Sequence, residues 1–171
     1  MKNLTLSTTL EKTVDALKAS FKEAILDIYQ SSGDTIARVH PDSVLDIAKW
    51  LKEEQHYIFL SDVFGADRYT SEDRFEVIYN LLNLRDRERL FLKVWLPEED
   101  PAVDSVTSVW PAANWYERET YDMFGIRFQN HPDLRRMYMP EDFLYYPLRK
   151  EFPLLGIPGS IELPSTTPES D

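Results

Sequence analysis

The stretch Phe75-Glu-Val-Ile-Tyr-Asn-Leu-Leu-Asn-Leu-Arg-Asp-Arg-Glu-Arg-Leu-Phe-Leu-Lys-Val-Trp-Leu96 decides the fold. Phe75, Val77, Tyr79 and Leu81 recur at every second residue, and so do Leu90, Leu92, Val94 and Leu96. That period belongs to strands with one buried face. Charged Arg85-Asp-Arg-Glu-Arg89 lies between the two runs, so the stretch is predicted to be a long hairpin with a hydrated tip. Its apolar face requires a second layer to cover it.

Upstream, Leu10, Val14, Leu17, Phe21, Ile25 and Ile28 are spaced three and four apart, predicting one amphipathic helix that stops near Ser31-Ser-Gly33. Thr8 and Glu11 have the form of its capping box. Thr35-Ile-Ala-Arg-Val-His40 alternates as a short strand, and Pro41 opens a second helix whose buried stripe is Val44, Ile47, Ala48 and Leu51. The apolar run Tyr57-Ile-Phe-Leu-Ser-Asp-Val-Phe64 is expected to be an inner strand, with Gly65-Ala-Asp-Arg68 as its turn. Downstream, Pro97-Glu-Glu-Asp-Pro101 reads as an exposed loop. A helix from about Pro111 to Phe124 follows, capped by Gly125 in the left-handed conformation. The expected fold is α+β: a mixed, mainly antiparallel sheet with helices packed on one face, formed by residues 1–156. Residues 157–171, rich in proline and acid, read either as a disordered terminus or as an extended C-terminal arm that orders against a partner, with Ile161 and Leu163 as its apolar anchors.

Composition narrows the function. A formal net charge of -11 opposes binding to nucleic acid or an anionic membrane. The sequence has no cysteine, which removes disulfides, thiolate metal sites and iron–sulfur ligation from this chain. Its 5 glycines form no phosphate loop, dinucleotide fingerprint or nucleophile elbow. No stretch approaches the roughly 18 apolar residues of a membrane helix, and the N-terminus lacks a signal core, so the expected protein is cytoplasmic, soluble or peripherally attached.

The densest chemistry lies in Ala113-Asn-Trp-Tyr-Glu-Arg-Glu-Thr-Tyr-Asp-Met-Phe-Gly125. Glu117 and Glu119 are separated by roughly 200° of helical rotation, so they cannot flank one bond as paired acid and base. Glu119 and Asp122 share a face and, with His131, could ligate a metal; a metal-dependent hydrolase is therefore one alternative. More simply, His131 is a loop residue bonded to a nearby carboxylate or carbonyl. Ala113, Tyr116, Thr120, Met123 and Phe124 form the stripe expected on the sheet, leaving Trp115, Arg118, Glu119 and Asp122 on the opposite side. That side reads either as a solvated face with an Arg118–Asp122 pair or as a docking surface. The crowd of Trp110, Trp115, Tyr116, Tyr121, Phe124, Tyr138, Phe143, Tyr145 and Tyr146, with Arg135, Arg136 and Arg149, favours docking, because aromatic and arginine side chains anchor interfaces.

Three linked motifs carry a family resemblance: Glu117-Arg-Glu-Thr-Tyr-Asp-Met-Phe-Gly-Ile126, His131-Pro-Asp-Leu-Arg-Arg-Met-Tyr-Met-Pro-Glu-Asp142 and Pro147-Leu-Arg-Lys-Glu-Phe-Pro153. In this order they closely resemble the signature of the 30 kDa subunit family of respiratory complex I, the C subunit of the bacterial NADH-quinone oxidoreductase. The resemblance is strong from Trp95 to Gly156. It implies a non-catalytic peripheral-arm subunit on the cytoplasmic side of the membrane, with no cofactor in this chain and with FMN and iron–sulfur clusters in partner subunits. It also implies docking on the 49 kDa-like quinone-site subunit and near the terminal-cluster subunit. The expected interface residues are Trp115, Glu117, Arg118, Glu119, Asp122, His131, Arg135, Arg136 and Arg149. Related complexes of the photosynthetic type and membrane-bound hydrogenases use similar subunits, so the electron donor stays open.

Overall fold

The computed structural model describes residues 8–70, 72–153 and 156; the C-terminal arm at 157–171 and the Thr8 side chain of the expected capping box lie outside the described residues. The chain runs α1 (Thr8–Ser20), β1 (Ile25–Ser31), β2 (Asp34–Val39), a 3₁₀ turn (Pro41–Ser43), α2 (Val44–Glu53), β3 (Phe59–Asp67), β4 (Phe75–Asn83), β5 (Glu88–Leu96), β6 (Ala102–Asp104), α3 (Ala113–Phe124) and β7 (Arg127–Gln129). Five strands form one sheet in the order β1-β2-β5-β4-β3, and β6 pairs with β7 separately. In the main sheet β2 and β5 run parallel while the other neighbours are antiparallel, so the fold is α+β with a mixed, mainly antiparallel sheet.

The decisive hairpin is β4–β5, in register from Phe75 opposite Leu96 to Asn83 opposite Glu88. At its tip the Asn83 side-chain oxygen accepts from the Arg85 and Asp86 amides, each at 3.1 Å, replacing bonds the ladder cannot make there. All eight alternating apolar residues are buried on one face. Leu17 of α1 and Val44, Ile47 and Leu51 of α2 belong to the same core, as do Ala113 and Phe124 of α3. The parallel β6–β7 pair places Val103 opposite Phe128 and sets the loop after β6 beside α3.

Two elements differ from expectation. The first helix ends at Ser20, and Ile25 and Ile28 lie in β1 instead. Both are β-branched and sit just before Ser32-Gly33, where positive φ angles of 53° and 96° make the two-residue turn into β2. Phe21, in the turn after α1, and Ile25 and Ile28, both in β1, all pack on the core, and an irregularity of β1 between Ile25 and Asp27 accompanies the three-residue spacing of the two isoleucines.

The run ending at Phe64 is an edge strand rather than an inner one, and it continues through Gly65-Ala-Asp67 before turning. Its apolar character is explained by α3, which lies against it. A Cβ on Gly65 would fall 2.8 Å from the Phe124 ring and 2.9 Å from the Thr120 methyl, so glycine permits this close approach.

Candidate functional site

α3 has a helical stripe toward the sheet, and its other side is covered by the chain that follows it. Ala113, Thr120 and Phe124 are buried, with Tyr116 and Met123 half-buried beside them. The helix ends at Gly125 with φ of 75°, as its sequence position predicts. A Cβ there would lie 2.6 Å from the Tyr146 ring and 2.7 Å from an Arg149 nitrogen. Glycine therefore both turns the chain and admits the returning segment.

That segment, residues 131–153, folds over α3 as a ribbon fastened by charge. Asp122 is buried, and one of its carboxylate oxygens accepts from the amides of Met137, Tyr138 and Met139 at 2.9, 2.7 and 3.0 Å. The other oxygen receives Arg136 Nη1 at 2.8 Å. Burial alone would push this carboxyl up, but the three amides and Arg136 outweigh it and hold the group below the ordinary range. Arg118 donates to the Arg135 and Arg136 carbonyls at 3.1 and 3.2 Å and lies over Trp115. Arg149 donates to the Phe124 carbonyl at 2.7 Å, at the carbonyl end of α3 where a cation is favoured.

Glu117 points elsewhere, into the core beside the turn after β6. It accepts from Ser105 Oγ at 2.6 Å and the Val106 amide at 2.8 Å. His131, its side chain buried, stands 3.9 Å away. The Asp133 amide donates to His131 Nδ1 at 3.0 Å, so Nε2 carries the proton and donates to the Asn114 carbonyl at 3.2 Å. Burial and Arg118 both oppose a second proton there, and the His131 pKa is lowered. Serine, histidine and glutamate thus meet, but the serine bonds the acid, both ring nitrogens are engaged, and Ser105 is buried. The cluster clamps α3 to two loops; it is not arranged as a nucleophile with its base.

For Glu117, burial outweighs its two hydrogen bonds and raises the pKa to about 7. Between roughly pH 4.5 and 7 the folded chain keeps a proton that the unfolded chain has lost, so stability falls as pH rises through this window. The slope approaches about 1.4 kcal/mol per pH unit, for a total near 3 kcal/mol. Glu117→Gln preserves an acceptor for Val106 and supplies a donor to Ser105, as the protonated acid does. We expect urea unfolding of this variant to be flatter across pH 5–7 and more stable than wild type at pH 8. A variant with the wild-type slope would show that Glu117 is ionised throughout.

A second clasp joins residues that no sequence motif links. Arg74, buried at the start of β4, forks onto Asp67 with contacts of 2.9 and 2.6 Å, reaches Glu98 at 2.6 Å and also pairs with Glu151. Asp67 accepts from the Lys150 amide at 2.8 Å as well. This ties the end of the ribbon to the sheet. The sequence signal is an arginine directly before an apolar strand, but its partners lie as far as 77 residues away.

Of the nine expected interface residues, Glu117, Arg118 and Asp122 are buried inside the chain, and His131, Arg136 and Arg149 are largely engaged there. Arg118 and Asp122 do not form a solvated pair: each binds the ribbon. Trp115, Glu119 and Arg135 face outward. The suggested metal set of Glu119, Asp122 and His131 is not assembled, and no group of three metal-capable side chains occurs among the described residues. The ribbon displays Tyr138, Leu144, Tyr145 and Leu148, with Leu144 84% exposed.

Residues 37–157 match the family described as respiratory-chain NADH dehydrogenase, 30 Kd subunit. The chain is 42% identical over 146 residues to the NADH-quinone oxidoreductase C subunit of Geobacter sulfurreducens, covering 85% of this chain and 90% of that one. It is 45% identical over 140 residues to the corresponding subunit of Roseiflexus castenholzii, covering 81% and 80%. Among solved structures, a trypsin-resistant fragment of Nqo5 aligns with a TM-score of 0.57 and 34% identity, covering 74% of this chain and 100% of the fragment. A chain of an archaeal membrane-bound sulfane sulfur reductase shares the fold, with a TM-score of 0.72 at 23% identity, covering 85% and 86%.

Proposed function

The chain belongs to the respiratory-chain NADH dehydrogenase 30 Kd subunit family and is a subunit of an NADH-quinone oxidoreductase-type complex, a membrane-associated hetero-oligomer; within it, we propose, the chain is a non-catalytic assembly subunit of the peripheral arm. It docks on the 49 kDa-like quinone-site subunit and near the terminal-cluster subunit, on the cytoplasmic side. Electrons pass through FMN and iron–sulfur clusters held by partner subunits.

The observation that carries this reading is the ribbon. Its backbone amides and carbonyls, with the Arg136 guanidinium, are turned inward onto Asp122, Arg118 and Asp67, while large apolar side chains are held outward at Tyr138, Leu144, Tyr145 and Leu148. A monomer gains nothing from a fixed row of exposed aromatic and leucine side chains, whereas an interface does, because anchors ordered before binding lose less entropy on association. Trp115, which Arg118 lies over, and Arg135, whose carbonyl Arg118 holds, stand exposed at the start of the ribbon, and Arg135 contributes to the polar rim.

The test is purification of the tagged chain from its native host. NADH-quinone oxidoreductase subunits are expected to accompany it. Arg118→Ala, which frees the Arg135 and Arg136 carbonyls, is expected to lower the amount of assembled complex while leaving the turnover of each assembled complex unchanged. A chain that purifies alone removes the proposal; full assembly with lost turnover shows a direct part in catalysis.

A further inference from the structure

The main sheet ends on β3, and among the described residues the backbone of Phe59–Asp67 bonds only to β4. In an antiparallel edge strand the outward N–H and C=O groups of alternate residues are then unpaired. Proteins usually blunt such an edge with lysine, proline or a covering element. β3 reads Phe-Leu-Ser-Asp-Val-Phe-Gly-Ala-Asp and has neither lysine nor proline. One irregularity, between Leu60 and Asp62, leaves Asp62 to Asp67 in unbroken register.

Beside this edge, between β3 and α3, runs a groove of about 230 Å³. Its apolar wall includes Phe64, Met123, Phe124 and Leu148, and Asp62 and Glu119 also line it. Neither carboxylate forms an ion pair or a side-chain hydrogen bond among the described residues. By contrast Asp67, at the far end of the strand, is fully occupied by Arg74, Lys150 and Tyr69.

We propose that the β3 edge is a strand-addition site for an extended segment of a partner subunit. That segment alternates apolar side chains, one of which fills the groove, and carries a lysine or arginine that meets Asp62 and Glu119. Backbone pairing supplies affinity, while the groove and the two carboxylates supply selection. The inference rests on the reading of this chain as a complex subunit and names the chemistry of one contact.

Charge decides between occupants. A second copy would bring Asp62 and Glu119 against their own kind, on two chains each of net charge -11. This chain's own C-terminal arm, Ile157 to Asp171, contains Glu162, Glu169 and Asp171 and no lysine or arginine. A basic strand from another subunit satisfies both the edge and the groove.

The experiment places a photo-crosslinking benzoylphenylalanine at Phe64 in the intact complex, followed by illumination, digestion and peptide sequencing. A cross-link to a different subunit, in a segment containing lysine or arginine among alternating apolar residues, is the expected result. A cross-link within this chain, to a second copy or to residues 1–7, overturns the inference, and so does the absence of any cross-link. In parallel, Asp62→Lys with Glu119→Lys is expected to lower recovery of the chain in the complex roughly tenfold while its isolated melting curve is unchanged. Recovery equal to wild type overturns the strand site alone. Failure of the wild-type chain to recover any complex overturns the subunit reading on which the site rests.

Discussion

Asp122→Ala is expected to cost about 3–5 kcal/mol in urea unfolding and to release the ribbon from α3. The size follows from what the carboxylate holds. One oxygen accepts from three consecutive amides and the other from Arg136, and no water-facing surface of Asp122 is left to compensate. Alanine leaves those amides and the largely buried guanidinium without their acceptor. Asp122→Asn tests the charge separately: its oxygen can face the amides, but its NH₂ then points at Arg136, so an intermediate loss is expected. Because the folded carboxyl titrates below its ordinary value, its contribution is complete above the unfolded pKa of about 3.8 and disappears as pH falls through the lower folded value. The wild-type advantage over Asp122→Ala should therefore shrink in acid, and only below about pH 4. Tryptic cleavage at Arg135 and Arg136 should accelerate in the alanine variant, since both flank the freed segment. Unchanged stability and unchanged cleavage would mean that the ribbon is held by its aromatic contacts instead.

The β4–β5 hairpin was legible because period-two alternation and burial on one face are the same fact seen twice. Gly125 was legible for a local reason as well: a helix that ends on glycine needs little more than its neighbours to specify the left-handed turn. Three-to-four spacing misled at Ile25 and Ile28 because core residues from a helix and a following strand can share that spacing by chance. There the Ser32-Gly33 turn was the better signal, as it required a hairpin rather than a helix end. β3 looked internal because its composition reports how much of its faces is covered, and α3 covers one face while the hydrogen-bonding edge stays open.

The dense helix was half legible. Its sheet-facing stripe could be read from spacing, yet the fate of Glu117, Arg118 and Asp122 could not. A helical wheel assigns charged residues to solvent, whereas these three are buried by partners from a turn before the helix and a ribbon after it. The family motifs identified the stretch as special without saying why. Their charged residues fix the shape of a surface, and the residues that display it are Trp115, Tyr138, Leu144, Tyr145 and Leu148. Mutations at the motif should therefore affect docking by loosening what carries the surface, while mutations at displayed residues affect docking with the fold intact.

Arg74→Ala should produce a loss of similar size, about 3–5 kcal/mol, from the other end of the ribbon. Asp67 has a fully buried side chain and depends on the forked Arg74 contact to remain charged; burial alone would raise its pKa, but Arg74 and the Lys150 and Tyr69 amides bring it down to about 2. Removing the guanidinium leaves a buried carboxylate with amide donors only, and also detaches Glu98 and Glu151. Arg74→Lys keeps the charge but cannot make the fork, so it should recover part of the loss. A double-mutant cycle with Asp67→Ala separates pairing from packing. If the pair acts as a unit, the double variant should cost clearly less than the two single losses added together. Additive losses would show two independent groups. The pH profile gives a further check, since the Asp67 contribution is present above about pH 3.8 and is lost as the folded group titrates toward 2, amounting to roughly 2.5 kcal/mol. Ribbon release at Lys150 in Arg74→Ala, seen as faster amide exchange there, should leave the Met137–Met139 amides protected by Asp122. Loss of protection at both ends together would instead make the ribbon one cooperative unit.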